Sequence, residues 1–225
     1  MDWLGPSSHR QWNVGTVMWP AKRVAHVSRR LLQLYAGLFL FGWAAAMMVR
    51  ARVGVDPWTV LADGLHLTTG IGYGWWVVII GLVVLLLWIP LGQRPGMGTI
   101  FNALLVGPSM EVGLMFIDTP DTLIQRWIVF LTGVLMLAVA SGFYIGAGFG
   151  SGPRDGLMTG ANKKFGWPIW AVRTGIEVTV LLAGWALGGD FGWGTIVFAL
   201  VIGPLVHRTI PACTVAPYLE KDTGK

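Results

Sequence analysis

Arg173 and Glu177 stand inside an otherwise apolar stretch, "PIWAVRTGIEVTVLLAGWAL" (168–187). Four residues apart, they share one face of a helix and can pair. At about 1.5 Å per residue from Pro168, Glu177 lies roughly 13 Å along the segment, near the middle of a hydrocarbon core about 30 Å thick. An ionised side chain at that depth costs about 3 kcal/mol or more and faces a bundle interior or a wet cavity. Two roles suit the residue types: Arg173 holds an anionic group while Glu177 holds a cation or a proton, or the two form a structural pair.

A second group of ionisable residues sits in "GFGSGPRDGLMTG" (148–160), where Arg154 and Asp155 follow three glycines and Pro153. The glycine spacing resembles the start of a phosphate-cradling loop, but such a loop follows a buried strand, and none precedes this one. Asp56 stands just before Pro57 in "RVGVDPWTVLADG" (52–64), and Asn102 is a further polar residue within an apolar run. Glu111 follows Gly107-Pro108 and His207 follows Gly203-Pro204, each at a place where a proton-coupled gate or an interfacial contact would use an ionisable group. No HExxH, no GxSxG with partners and no P-loop lysine occurs. The single cysteine, Cys213, excludes an intramolecular disulfide and a cysteine-cluster metal site. The expectation is therefore no enzyme, no cofactor and no metal.

Those residues need elements to hold them, and composition says which. Of 225 residues, 54% are hydrophobic and 12% charged, and the mean hydropathy is +0.64. Six apolar blocks, at 31–49, 74–91, 99–117, 127–145, 168–187 and 194–210, are each near the length of a bilayer-spanning helix. The fold class expected is an all-α integral membrane protein whose main partner is the lipid bilayer. Thirty-two glycines suit close helix packing, and many of the 13 tryptophans lie near span ends. The net charge of +5 follows from the positive-inside rule rather than from nucleic-acid binding. With both termini in the cytoplasm, Lys22, Arg23, Arg29, Arg30, Arg94, Arg154, Lys163, Lys164, Arg208, Lys221 and Lys225 fall inside, and only Arg50, Arg52 and Arg126 fall outside. The basic N-terminal segment has no separate apolar region with a cleavage site, so no cleaved signal peptide is expected.

An internal repeat organises the chain. Adding 96 to a residue number carries Gly54 to Gly150, Pro57 to Pro153, Gly64 to Gly160, and "GTI" at 98–100 to "GTI" at 194–196. It also carries Gly107-Pro108 to Gly203-Pro204. Each half holds three crossings, an odd number, so the halves are expected to be inverted in the membrane, as in many secondary transporters. The predicted organisation is a basic cytoplasmic tail (1–29), a first repeat (30–117), an external linker (118–125), a second repeat (126–210) and a cytoplasmic tail (211–225). Gly54 and Pro57, like Gly150 and Pro153, predict a broken or re-entrant segment after the first helix of each half. The shared glycines and prolines are architectural. Arg154, Asp155, Arg173 and Glu177 are not shared, because Trp58, Thr59, Val77 and Gly81 stand at the matching positions.

The stretches "LGQRPGMGTIFNALLVGP" (91–108), "YIGAGFGSGPRDGLM" (144–158), "VRTGIEVTV" (172–180) and "GWGTIVFALVIGPLV" (192–206) resemble the YczE branch of the YczE/YyaS/YitT membrane proteins over roughly residues 30–210. The resemblance implies a multi-spanning bacterial inner-membrane protein. Its family is mostly without an assigned activity, and YczE-type members are linked to antibiotic lipopeptide or polyketide production. The soluble C-terminal domain of YitT-like relatives is not expected here. The leading functional expectation is a secondary transporter or exporter of a small solute in the plasma membrane. The alternative is a non-transporting scaffold or assembly factor, for example for secondary-metabolite production, and a lipid-modifying enzyme comes third. A homo-oligomer is compatible with either of the first two.

Overall fold

A computed structural model describes residues 21–215, and the outer parts of both predicted tails (1–20 and 216–225) lie outside the described residues. The described residues form eight helices and no strand. They are α1 (Ala21–Ala51), α2 (Pro57–Thr69), α3 (Tyr73–Trp88), α4 (Met97–Phe116), α5 (Leu123–Gly146), α6 (Pro153–Phe165), α7 (Ile169–Ala186) and α8 (Trp193–Cys213). Five of them, α1, α4, α5, α7 and α8, are long and apolar enough to cross a bilayer. The α2–α3 pair, bent by 119° at its break, makes a sixth crossing if taken as one broken span.

Three boundaries differ from the apolar blocks. α3 stops at Trp88, two residues before Pro90, because a proline has no N–H to continue the ladder. Its 16 residues cover about 24 Å at 1.5 Å per residue, less than the hydrocarbon core. α1 begins at Ala21, inside the predicted tail, and α8 runs on to Cys213, past the predicted end of the second repeat. Backbone hydrogen bonding carries a helix beyond its apolar stretch, which hydropathy alone does not reveal.

The two breaks have the same local cause. Pro57 and Pro153 each occupy the first turn of a 13-residue helix, where the missing N–H has no partner to lose. Gly70 (φ 73°) and Gly166 (φ 72°) end those helices in the left-handed conformation that favours glycine. His66 Nδ1 lies 2.7 Å from Ile71 O, and Asn162 Nδ2 donates to Trp167 O at 2.6 Å, closing the α2–α3 and α6–α7 turns alike.

Tertiary contacts recur with the same 96-residue offset. α1 and α5 pack together at the centre, where an added Cβ on Gly37 would lie 3.0 Å from Ala140 O and one on Gly133 3.0 Å from Ala44 O. Gly98 N donates to Phe149 O at 2.9 Å, and Gly194 N donates to Val53 O at 2.7 Å. α2 packs on α7 with Val60 against Gly184, while α6 packs on α3 with Gly156 against Trp88. At one crossing the Trp88 ring of the first half meets a glycine of the second, and at the other the α2 backbone at Val60 and Leu61 lies directly against Gly184. The buried core around Met48, Val60, Phe130 and Leu137 thus draws on both halves.

One pairing does not recur. α3 and α4 touch backbone to backbone: a Cβ on Gly107 would lie 2.2 Å from Gly74 O, and one on Gly74 the same distance from Gly107 O. No comparable packing joins α7 to α8. There Trp170 replaces Gly74 and is exposed, and nothing lies within 4 Å of a Cβ on Gly203.

Candidate functional site

A cavity of about 180 Å³ lies between the two halves and takes lining residues from all eight helices or their caps. Many come in pairs related by the offset: Phe41 with Leu137, Val77 with Arg173, Gly81 with Glu177, and Asn102 with Phe198. Trp58 and Arg154 are such a pair, and they touch each other, with the Arg154 guanidinium carbon 5.0 Å from the Trp58 ring centre. Equivalent residues can meet only where the halves meet, so this contact marks the seam.

Asp56 anchors the floor. Its carboxylate caps α2, accepting from Trp58 N at 3.2 Å and Thr59 N at 3.3 Å, and from the Thr59 hydroxyl. It also pairs with Arg154 Nη1 at 3.2 Å across the seam, with only 6% of the Asp56 side chain exposed. The capping position exists because Asp56 directly precedes Pro57. Asp155 falls in the first turn of α6, where a negative charge suits the positive end of the helix dipole. Tyr144, from α5, donates its hydroxyl to Asp155 Oδ2 at 3.3 Å. The start of α6 is held in place from α3 by Trp88 Nε1, which donates to Pro153 O at 2.9 Å, and from α4 by Thr99 Oγ1, which donates to Ser151 O at 2.7 Å.

Arg173 and Glu177 project from α7 on one face, as the spacing predicts. Their atoms Nε and Oε1 stand 3.8 Å apart, beyond hydrogen-bond distance and only just an ion pair. Glu177 therefore has most of its acceptor capacity unspent. Three carboxylates (Asp56, Asp155, Glu177) and two guanidiniums (Arg154, Arg173) line one cavity, and when all are ionised they sum to one negative charge. Asn102 adds a neutral polar group, and Phe41, Trp58 and Phe198 add apolar or aromatic wall. This lining suits a small polar solute carrying a positive centre, with donors available for an acceptor group elsewhere on it.

All six residues singled out in the sequence as candidate binders line this cavity: Asp56, Asn102, Arg154, Asp155, Arg173 and Glu177. Glu111 and His207 are not brought to it. Glu111 Oε1 accepts from Gly74 N at 2.6 Å, at the start of α3, and His207 is exposed on α8. Of the architectural residues, Gly54 and Gly150 share positive φ (110° and 124°), and an added Cβ on either would meet the hydroxyl of Thr195 or Thr99. Pro108 and Pro204 lie inside α4 and α8. Sequence reasoning missed Trp58, which faces Arg154, and Tyr144, which holds Asp155. Both had a signal: Tyr144 stands where the first half has Met48, and Trp58 where the second has Arg154. Among the described residues, no group of three or more His, Cys, Asp and Glu side chains is placed to hold a metal ion.

Comparison with known proteins agrees with this membrane bundle. The chain is 35% identical to an uncharacterized protein of Haemophilus influenzae over 174 residues, which cover 77% of this chain and 80% of that protein. It is 32% identical to the uncharacterized membrane protein YczE of Bacillus subtilis over 179 residues, covering 79% and 83%. The uncharacterized protein YyaS of the same organism is 22% identical over 179 residues, covering 78% and 89%. No solved structure matches. The model of DUF6198, a family of unknown function, matches residues 28–211, which span both halves and every residue of the cavity, and the chain belongs to that family of YczE-like membrane proteins.

Proposed function

We propose that the chain is a secondary transporter of a small solute, without enzymatic activity, built from two inverted three-span halves in the bacterial plasma membrane with both termini cytoplasmic. The observation that carries this reading is the cavity at the seam. Its charges are of both signs, and they come from two broken segments and a spanning helix. Charged groups cost free energy in a membrane bundle and mark solute or ion pathways, and transporters of this architecture bind at the interface of their halves. The offset-related contacts support two equivalent halves. The difference between the closed α3–α4 pair and the unpaired α7–α8 supports two arrangements that exchange as solute crosses.

Two experiments test it. Cysteines introduced at Ile71 and Trp167, in a Cys213→Ser background, should be labelled by an impermeant thiol reagent from opposite faces of the membrane; labelling from one face overturns the inversion. A thermal-stability screen of the purified protein against small amines, amino acids and organic acids should yield at least one stabilising solute. Glu177→Gln should abolish that stabilisation while leaving the solute-free melting temperature within about 2 °C, a shift worth less than about 1 kcal/mol in a chain of this size. A silent screen favours the scaffold reading, in which the same charges serve only to hold helices together.

A further inference from the structure

A second, larger cavity of about 570 Å³ lies at the end of the bundle where α1 finishes, α2 turns into α3 and α7 passes to α8. Its charged and titratable lining consists of Arg50, Arg52, Asp63, His66, Tyr73 and Asp190. None of these lines the cavity at the seam.

The two carboxylates here are already engaged. Asp63 accepts from Tyr73 Oη and from Asp190 N, each at 2.6 Å, one on each carboxylate oxygen. Asp190 accepts from the backbone N–H of Gly54, and burial, with Asp63 beside it, pushes its carboxyl up from the usual range. The arginines are in the opposite condition. Arg50 spends one nitrogen on Leu114 O, but its Nε is buried with no partner. The Arg52 backbone N–H donates to Val49 O at 3.3 Å, but its guanidinium makes no hydrogen bond or ion pair among the described residues, and only its charge is felt by Asp190 and Tyr73. His66 rests on the Tyr73 ring, with ring centres 4.1 Å apart, its Nδ1 committed to Ile71 O.

The backbone adds an independent observation. Arg52 has φ +50°, and among the described residues it is the only non-glycine with positive φ. That conformation costs about 1 kcal/mol or more for a residue with a side chain. Its counterpart in the second half is Gly148, at φ +72°. The segments read "RARVG" (50–54) and "GAGFG" (146–150), so both arginines stand where the second half has glycine, Arg50 in the last turn of α1 and Arg52 in the turn that follows. The first half holds a strained residue there and gains a guanidinium on the cavity wall.

From the unspent donors and the strained placement of Arg52, we infer that this cavity is a binding site for a small oxyanion, a phosphate or carboxylate group, held by the Arg50 and Arg52 guanidiniums. A planar fork of N–H donors matches such a group. The group can belong to a free solute or to an anionic lipid headgroup. The site does not depend on transport, because its residues, ligand and cavity are separate from those at the seam.

The test is melting of the purified full-length protein in neutral detergent, titrated with inorganic phosphate at constant ionic strength and, separately, with mixed micelles containing phosphatidylglycerol. Arg52→Gly and Arg52→Asn are the variants, because glycine and asparagine both accept positive φ, so each should melt at or above the wild-type temperature without ligand. Phosphate or phosphatidylglycerol should raise the wild-type melting temperature saturably, and both variants should need at least tenfold more ligand for the same shift. A response to phosphate identifies a free oxyanion, and a response to phosphatidylglycerol alone identifies a headgroup. No saturable response to either probe, or an undiminished response in both folded variants, overturns the site.

Discussion

Gly107→Val should leave the protein unable to hold its native packing, whereas Gly203→Val, at the matching position of the other half, should be tolerated. An added Cβ at residue 107 would sit 2.2 Å from Gly74 O, a distance no rotamer change relieves because the obstacle is backbone. α3 and α4 must therefore separate, and overpacking of this kind costs about 3 kcal/mol or more. At Gly203 nothing lies within 4 Å. Valine there should move the melting temperature by no more than about 2 °C, roughly the effect of a neutral surface change. Melting in detergent, followed by intrinsic tryptophan fluorescence, decides between them. Equal losses at both positions would mean that α7 and α8 are packed as tightly as α3 and α4.

Arg154→Gln should be the most damaging change within the cavity, and Asp56→Asn should partly repair it. Asp56 is almost fully buried and, among the described residues, Arg154 is the one cation paired with it, although part of Arg154 faces the cavity. Removing the guanidinium leaves a buried carboxylate with only the α2 N–H groups and the Thr59 hydroxyl, which should cost about 1.5–3 kcal/mol. The double variant removes both charges, so its loss should be smaller than the sum of the single losses by about 1 kcal/mol. Strict additivity would show the pair to be energetically idle. If the cavity binds solute, the double variant should also fold without responding to the solute that stabilises wild type, separating binding from stability.

The sequence made the bundle legible because a spanning helix is written in composition: about 20 apolar residues in a row leave little alternative. The breaks at Pro57 and Pro153 were legible from proline and glycine chemistry, and the structure starts a helix at each proline. The cavity residues were found for a different reason. Arg154, Asp155, Arg173 and Glu177 are charges where membrane depth forbids idle ones, and they break an otherwise kept repeat. Asp56 and Asn102 carried a weaker version of the same signal. What the sequence did not disclose was partnership. Nothing in the spacing says that Tyr144 donates to Asp155, or that Trp58 lies beneath Arg154, because those contacts depend on how α2, α5 and α6 converge. Glu111 looked similar to the cavity residues in sequence, yet its carboxylate is spent on Gly74 N. An exposed arginine at positive φ is likewise invisible until the backbone is known, so Arg52 read only as one of a few basic residues outside the positive-inside pattern.

The unequal partners at the two helix crossings have a consequence for assembly. Trp88, the bulky member, belongs to the first half, and Gly156, which receives its ring, to the second; Gly184, the counterpart of Trp88, lies directly against the α2 backbone at Val60 and Leu61. Two copies of the first half would drive Trp88 into the α2 backbone, with no room for the ring. Two copies of the second would put glycine where the Trp88 ring stands and leave a hollow beside Gly156. Each half is thus fitted to the other and not to a copy of itself, so separately expressed halves should reconstitute only as the mixed pair.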